Sequence, residues 1–282
     1  MTTTSAASSG SAASLPMMTV SVPTKRGLAS AASDTLLITG RNLKKVVRVP
    51  QLIVFSTIQP VMVLLLFSFV FGGIAHVPQV TYREYIVPGV LVQTLTFAAM
   101  STGVGLATDL QSGMIDRFRA LPIARSAVLV GRTLADAVRV TFQTVLVLIV
   151  AFLIGFRFLT GPVRGAGVLV FAVMFGVALS TMSAWIGLSL KDPETVQVAG
   201  FVPIFPLIFI SSAFAPIHTL PGWMQPFARI NPVTAAIDTM RGLALGGVYA
   251  VHLTSSMWHM ILWSVAMIAG FLTLAVRQYR RV

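Results

Sequence analysis

The chain has 282 residues, 56% of them hydrophobic and only 10% charged, where soluble domains carry about a quarter charged, and its mean hydropathy is +0.87. That deficit excludes a soluble globular protein and leaves no polar stretch in which a second, water-soluble domain would fold. The net charge of +12 is spread as single residues near the ends of apolar runs, a pattern of membrane topology and anionic headgroups rather than of nucleic-acid binding, and the absence of cysteine removes disulfides, thiolate catalysis and cysteine metal sites.

Residues 1–31 open on a Ser/Thr/Ala-rich stretch too polar to bury anything, and are expected to form a disordered cytoplasmic tail. The tail lacks the apolar core of a secretory signal, and Lys25 and Arg26 follow it instead of preceding it. Over 32–49 the pattern turns helical. Leu36, Gly40, Leu43 and Val47 share one stripe, and Arg41, Lys44, Lys45 and Arg48 another. This is the form of an interfacial helix lying flat with its cations on lipid headgroups; a solvated basic linker is the alternative. Pro50 breaks it and turns the chain into the membrane.

Six apolar runs follow, judged against the ~20 residues needed to cross hydrocarbon: 52–74, 85–107, 133–156, 166–190, 196–214 and 253–276. Pro60, Pro203 and Pro206 fall inside runs, where neighbouring helices or water must meet the freed backbone groups.

Between the second and third runs lies a charged island, 109–132. Met114, Phe118 and Leu121 recur there at helical spacing while Asp116, Arg117 and Arg119 look elsewhere, and Pro122 stops the short helix. Such a helix can lie at the cytoplasmic surface and dock on a soluble partner, or the loop can be a topogenic cluster of arginines. With both termini inside, 14 of the 20 Lys and Arg residues face the cytoplasm, five face outward and Arg139 lies within a run, so the bias obeys the positive-inside rule.

In the third run, Asp136, Arg139 and Gln143 form one polar stripe near the cytoplasmic end. They are either functional or a local i, i+3 pair near the interface. Between the fifth and sixth runs, Leu220-Pro221-Gly222-Trp223 reads as a turn with an interfacial aromatic. Asn231-Pro232 places a capping residue before a proline at the first helical position, and a helix carrying Asp238 and Arg241 runs to Gly246-Gly247. Two short helices dipping into the outer leaflet fit this stretch better than a loop, because Phe214, Ile217, Leu220, Trp223, Met224 and Phe227 would suffer in water.

The chemistry of catalysis is missing from the pattern. No GxxxxGK[ST] loop exists and none of the four lysines follows a glycine, so no phosphate cradle is expected here. His76, His218, His252 and His259 are dispersed without metal-ligand spacing. Asp192 and Glu194 are the one close carboxylate pair, on a short inner loop.

Two stretches carry a resemblance: GMIDRFRALP at 113–122, and the outer motif at Leu220, Pro221, Gly222, Trp223, Pro226, Asn231, Pro232 and Arg241. Together, in this order between these runs, they resemble ABC-2-type transporter permeases, most closely the membrane subunits of daunorubicin-resistance-type exporters, from about residue 35 to the C-terminus. The resemblance implies an all-α integral membrane fold of six transmembrane helices. An N-terminal amphipathic elbow helix (32–49, with Arg41, Lys44, Lys45 and Arg48 at the interface) leads it, and a re-entrant helical pair (Pro221, Trp223, Asn231, Pro232, Arg241) lies in the outer leaflet before the last span. It further implies a cytoplasmic coupling helix, Met114, Asp116, Arg117, Phe118, Arg119, Leu121 and Pro122, seated in a groove of a separate ATPase subunit, so that ATP and Mg belong to that partner and no cofactor to this chain. Two permease chains, identical or different, would share one plasma-membrane transporter. Its substrate path is expected between them, near Thr94, Thr96, Thr102, Ser211 and Ser212, although such residues also simply pack helix on helix.

The Met- and Phe-rich composition favours an amphiphilic drug-like or lipid-like cargo; export of a polysaccharide or lipid-linked glycan is the alternative. A lipid-processing enzyme would need an acidic or histidine constellation at one membrane face, and a secondary transporter would need coupling carboxylates at mid-membrane. Neither pattern is present. A subunit that only anchors its partner is compatible with the same sequence.

Overall fold

The computed structural model describes residues 39–40, 50–73, 77, 79–114 and 125–281, with side chains left aside at 50–57, 125–130 and 279–281. The tail at 1–31, the interfacial-helix cations Arg41, Lys44, Lys45 and Arg48, and the loop residues Asp116, Arg117, Phe118, Arg119, Leu121 and Pro122 lie outside the described residues. In chain order the helices are α1 (Pro50–Leu66), continued by a π turn at Phe67–Phe71, α2 (Tyr82–Gln111), α3 (Arg125–Leu153), α4 (Pro162–Leu190), α5 (Pro193–Phe209), the short α6 (Gln225–Ile230), α7 (Pro232–Leu245) and α8 (Leu253–Arg281). Single 3-10 turns stand at Ile217–Thr219 and Gly247–Ala250, and no strand occurs among the described residues.

Among the described residues four helices, α2, α3 over Gly131–Leu153, α4 and α8 over Leu253–Gln278, are long and apolar enough to cross a membrane, whereas Pro193–Phe209 is apolar but shorter. At 1.5 Å per residue the 17 residues of α5 reach about 26 Å, short of the ~30 Å hydrocarbon thickness. The fifth apolar run continues to Phe214, but its helix stops at Phe209. The side-chain amide of Asn231 donates to the Leu207 carbonyl (2.6 Å) and to the Ile210 carbonyl (2.7 Å), meeting backbone acceptors that the helix leaves open at its end.

Sequence sets most of the ends. Glu84, in the first turn of α2, reaches back to the Thr81 N–H (2.8 Å) and hydroxyl (2.9 Å), which satisfies an orphan donor and places a negative charge on the helix N-terminus. Asp192 caps α5 through the Thr195 N–H (2.8 Å) and hydroxyl (2.6 Å). The Thr195 hydroxyl, then its N–H, hold the Asp192 carboxyl below the ordinary carboxylate range. Asn231 accepts from the Val233 N–H (2.9 Å) with Pro232 at the first position of α7, and Gly246, at φ 68°, ends that helix.

Helix α2 is the hub. It packs on α1, α3, α4, α5 and α7, while α8 lies against α4 and α7. The most apolar window of α2 is 72% buried and that of α8 only 22%, which separates a central helix from a peripheral one. The α2–α4 seam is backbone on backbone. A Cβ on Gly103 would overlap the Ser183 carbonyl, and one on Gly187 would overlap the Gly103 carbonyl. The Ser183 hydroxyl accepts from the Gly103 N–H at 3.1 Å and donates to the Met100 carbonyl at 3.3 Å. Small residues that admit close approach are how helices associate where no water drives them together.

The opposite surface is apolar as well. On α3, Leu134, Val138, Phe142, Val145 and Ile149 form an exposed stripe, a face suited to hydrocarbon and not to water.

Candidate functional site

The ion pairs stand at the two ends of the bundle. At the end where α2 finishes and α3 begins, Arg132 pairs with Asp109 at 2.9 Å and donates to the Thr102 carbonyl at 2.8 Å. Two helical turns deeper, Arg139 meets Asp136 at 3.1 Å, the Thr102 hydroxyl at 2.9 Å and the Ala98 carbonyl at 3.0 Å. Two arginines of α3 are thus fastened to one short stretch of α2. Thr39, from the segment expected to form the interfacial helix, donates to the Gly131 carbonyl at 3.0 Å, and Gln111 reaches Asp192 at 3.2 Å. The starts of α3 and α5 and the finish of α2 therefore meet at this end, beside Met114.

At the opposite end the centre is Arg241, 3% exposed. Its guanidinium donates to the Ser212 carbonyl (2.9 Å) and the Tyr85 carbonyl (3.3 Å). It lies 3.7 Å over the Tyr85 ring and pairs with Asp238 at 3.2 Å. The Ser212 hydroxyl donates to Asp238 at 2.6 Å, and the Tyr82 and Tyr85 hydroxyls donate to the Phe214 (3.0 Å) and Ser212 (3.3 Å) carbonyls. A buried cation is tolerable only when paired and hydrogen-bonded, and Arg241 is both. An open cavity of about 260 Å³ adjoins it, lined in part by Asp238, Tyr249, His218 and His252. The turn between α3 and α4 closes on the same end, with Leu159 donating to the Ala244 carbonyl at 3.0 Å and Thr160 to the Leu243 carbonyl.

The five hydroxyl residues of the expected substrate path are distributed among different places. Thr94 lines a cavity between α1, α2 and α3. Thr96 is buried and bonded to its own helix at the Val92 carbonyl, 2.7 Å. Thr102 belongs to the Arg132 and Arg139 cluster, while Ser211 and Ser212 belong to the turn held by Arg241, Ser211 donating to Ile208 and accepting from Ala213. Of the outer motif, Asn231, Pro232 and Arg241 are built into the α5–α7 junction; Trp223, beyond Pro221, is 64% exposed. Asp109–Arg132, Arg139–Thr102 and the stacking of Arg241 on Tyr85 were not derivable from spacing. The charges at both ends of the 109–132 loop were the one available signal, since antiparallel neighbours bring those ends together. No group of His, Asp and Glu able to hold a metal occurs among the described residues.

Apolar helices of spanning length, lipid-facing stripes and buried ion pairs define a multi-pass helical membrane protein. A family model described as "ABC-2 type transporter" matches residues 33–245. A daunorubicin resistance ABC transporter permease of Streptomyces coeruleorubidus is 31% identical over 255 residues, 89% of this chain and 88% of its own length. A probable doxorubicin resistance ABC transporter permease of Mycobacterium tuberculosis H37Rv is 29% identical over 234 residues, 82% and 83% of the two chains. A probable multidrug ABC transporter permease of Escherichia coli K12 is 22% identical over 187 residues, 65% and 50%. The chain belongs to the ABC-2 type transporter family.

Proposed function

We propose that the chain is the membrane permease of an ATP-driven exporter, carrying an amphiphilic drug-like or lipid-like molecule out of the cytoplasm or the inner leaflet. ATP and Mg are handled by a separate ATPase chain. The observation that carries this reading is the 31% identity to a daunorubicin resistance permease, spread over 89% of the chain and not confined to one motif.

In this reading α1 and α5 join the four long helices as spans, giving six in the plasma membrane with both termini cytoplasmic. The Asp109 end faces the cytoplasm, and residues 114–122 couple to the ATPase through Phe118, with Arg117 and Arg119 at the rim. The elbow residues Arg41, Lys44, Lys45 and Arg48 rest on headgroups. The pair α6 and α7 dips into the outer leaflet, which the exposure of Trp223, Phe227 and Ile230 (64%, 67% and 68%) supports, because such a face favours lipid over water. A second permease chain, identical or not, completes the substrate path.

The mechanics follow from the ties beside the loop. Arg132 and Arg139 bind α3 to Thr102 and its neighbours on α2, so a displacement of the loop moves α2 and α3 as one body. Through the Gly103–Gly187 seam α4 follows. The test is co-expression with the cognate ATPase, followed by ATP-dependent uptake of doxorubicin into inverted membrane vesicles. A co-purifying complex and ATP-dependent uptake are expected, with no hydrolysis by this chain alone. Hydrolysis by the isolated chain, or failure to form the complex, overturns the reading.

A further inference from the structure

A cavity of about 130 Å³ lies between α1, α2 and α3, midway along α2, bounded by Gln59, Pro60, Gln93, Thr94, Phe97 and Gln143. Three amide side chains share this one space with the apolar Pro60, Val63, Phe97 and Ala98. Gln143 is 8% exposed, and the side-chain oxygens of both Gln93 and Gln143 are buried without a hydrogen-bond partner. The Thr94 hydroxyl cannot serve them, since it donates to the Val90 carbonyl at 2.7 Å. More than nine in ten buried polar groups in proteins are satisfied, and an unmet acceptor in hydrocarbon is costly. Two of them on one cavity call for a donor that none of the described residues gives them.

We propose that this cavity is an intramembrane subsite for the hydroxyl group of a neutral amphiphile, whose single O–H is shared between the Gln93 and Gln143 oxygens while its apolar body lies along Phe97. Size sets the first limit. Sites that enclose a whole drug-sized ligand run to about 300–1,000 Å³, so this cavity holds one polar group and not the entire molecule. Charge sets the second. Arg139, one turn from Gln143 on α3, donates to the carbonyl of Ala98, itself a lining residue, and a guanidinium so close disfavours an ammonium group. Access sets the third: Gln59 and Ser101, at the rim, are exposed, so the occupant arrives sideways from the lipid.

The proposal rests on the export reading for the claim that the occupant is cargo, so binding is tested without ATP or ATPase. The full chain in phosphatidylcholine nanodiscs is photolabelled with a diazirine-bearing medium-chain alcohol and, separately, with its methyl ether, and adducts are mapped by mass spectrometry. The alcohol should label Val63, Phe97 and Ala98. The ether, with the same body but no donor, should label them roughly fivefold less, the worth of one net hydrogen bond. Gln93→Leu and Gln143→Leu should each weaken the preference for the alcohol, and the double variant should abolish it. Gln143→Met should melt at or above the wild-type temperature, because exchanging an unsatisfied amide for an apolar group of similar shape is neutral or stabilising; a collapsed fold there would show the amide to be structurally bonded and overturn the proposal. Equal labelling by alcohol and ether, or adducts spread evenly over the lipid-facing helices, would also overturn it and leave a water-filled crevice. Selective labelling without any ATP-driven export would keep the subsite and discard the export reading, and export without selective labelling would do the reverse.

Discussion

Arg241 joins three parts of the chain that are distant in sequence. Its guanidinium bonds the backbone of α2 at Tyr85 and the turn after α5 at Ser212, while its own helix supplies Asp238 as counter-charge. Removing the guanidinium leaves the buried Tyr85 and Ser212 carbonyls without this donor, which costs about 1–3 kcal/mol. Arg241→Leu should therefore lower the melting temperature of the purified protein by several degrees. Arg241→Lys keeps the charge but loses the planar fork that reaches two carbonyls and stacks on Tyr85, so it should fall between the two. A Leu variant as stable as wild type would mean that Arg241 is not what holds this end together.

At the scale of elements, the α2–α4 seam and the 109–132 loop make separate claims. Gly103→Ala pushes a Cβ into the Ser183 carbonyl, and overpacking of that kind typically costs about 1–3 kcal/mol. Gly270 of α8 has nothing within 4 Å of its would-be Cβ, so Gly270→Ala should be neutral or stabilising by about 0.5–1 kcal/mol from helix propensity alone. Thermal denaturation of the two variants side by side reads out the difference, and equal effects would contradict the close approach.

In the loop, the proposed coupling makes Phe118 an anchor; an aromatic anchor in a desolvated groove is typically worth upwards of ~2 kcal/mol, roughly thirtyfold in affinity, whereas a rim charge, the role proposed for Arg117, is worth about 1 kcal/mol or less. Phe118→Ala should thus release the ATPase far more than Arg117→Ala, measured as recovery of the complex and as substrate-stimulated ATP hydrolysis. A purely topogenic arginine loop gives the opposite order.

At the scale of the whole molecule, the claim is orientation. Because the chain has no cysteine, single cysteines report topology without background. One at Ser112, beside the Asp109–Arg132 pair, should react with an impermeant maleimide only from the cytoplasm, and one at Gln225, at the start of α6, only from outside. Reversed labelling would invert the map and remove the docking surface for the ATPase.

The class of the protein and the existence of its long helices were legible in the residues, because a run of some 20 apolar residues has one economical conformation in hydrocarbon. So were the Asn231-Pro232 start and the Gly246 end of α7, whose signals are local to the chain. The rotation of each helix was not legible. In a membrane the solvent is as apolar as the core, so hydropathy does not separate the face that meets another helix from the face that meets lipid: Phe142 is exposed while Thr94, Thr96 and Gln143 are buried. That choice rested on backbone approach, at Gly103 and Gly187, and on polar partners far away in sequence, Asp109 for Arg132 and Tyr85 for Arg241. The length of α5 was decided the same way: the apolar run continues past Phe209, but the side chain of Asn231, 21 residues beyond Ile210, takes the carbonyls and stops the helix.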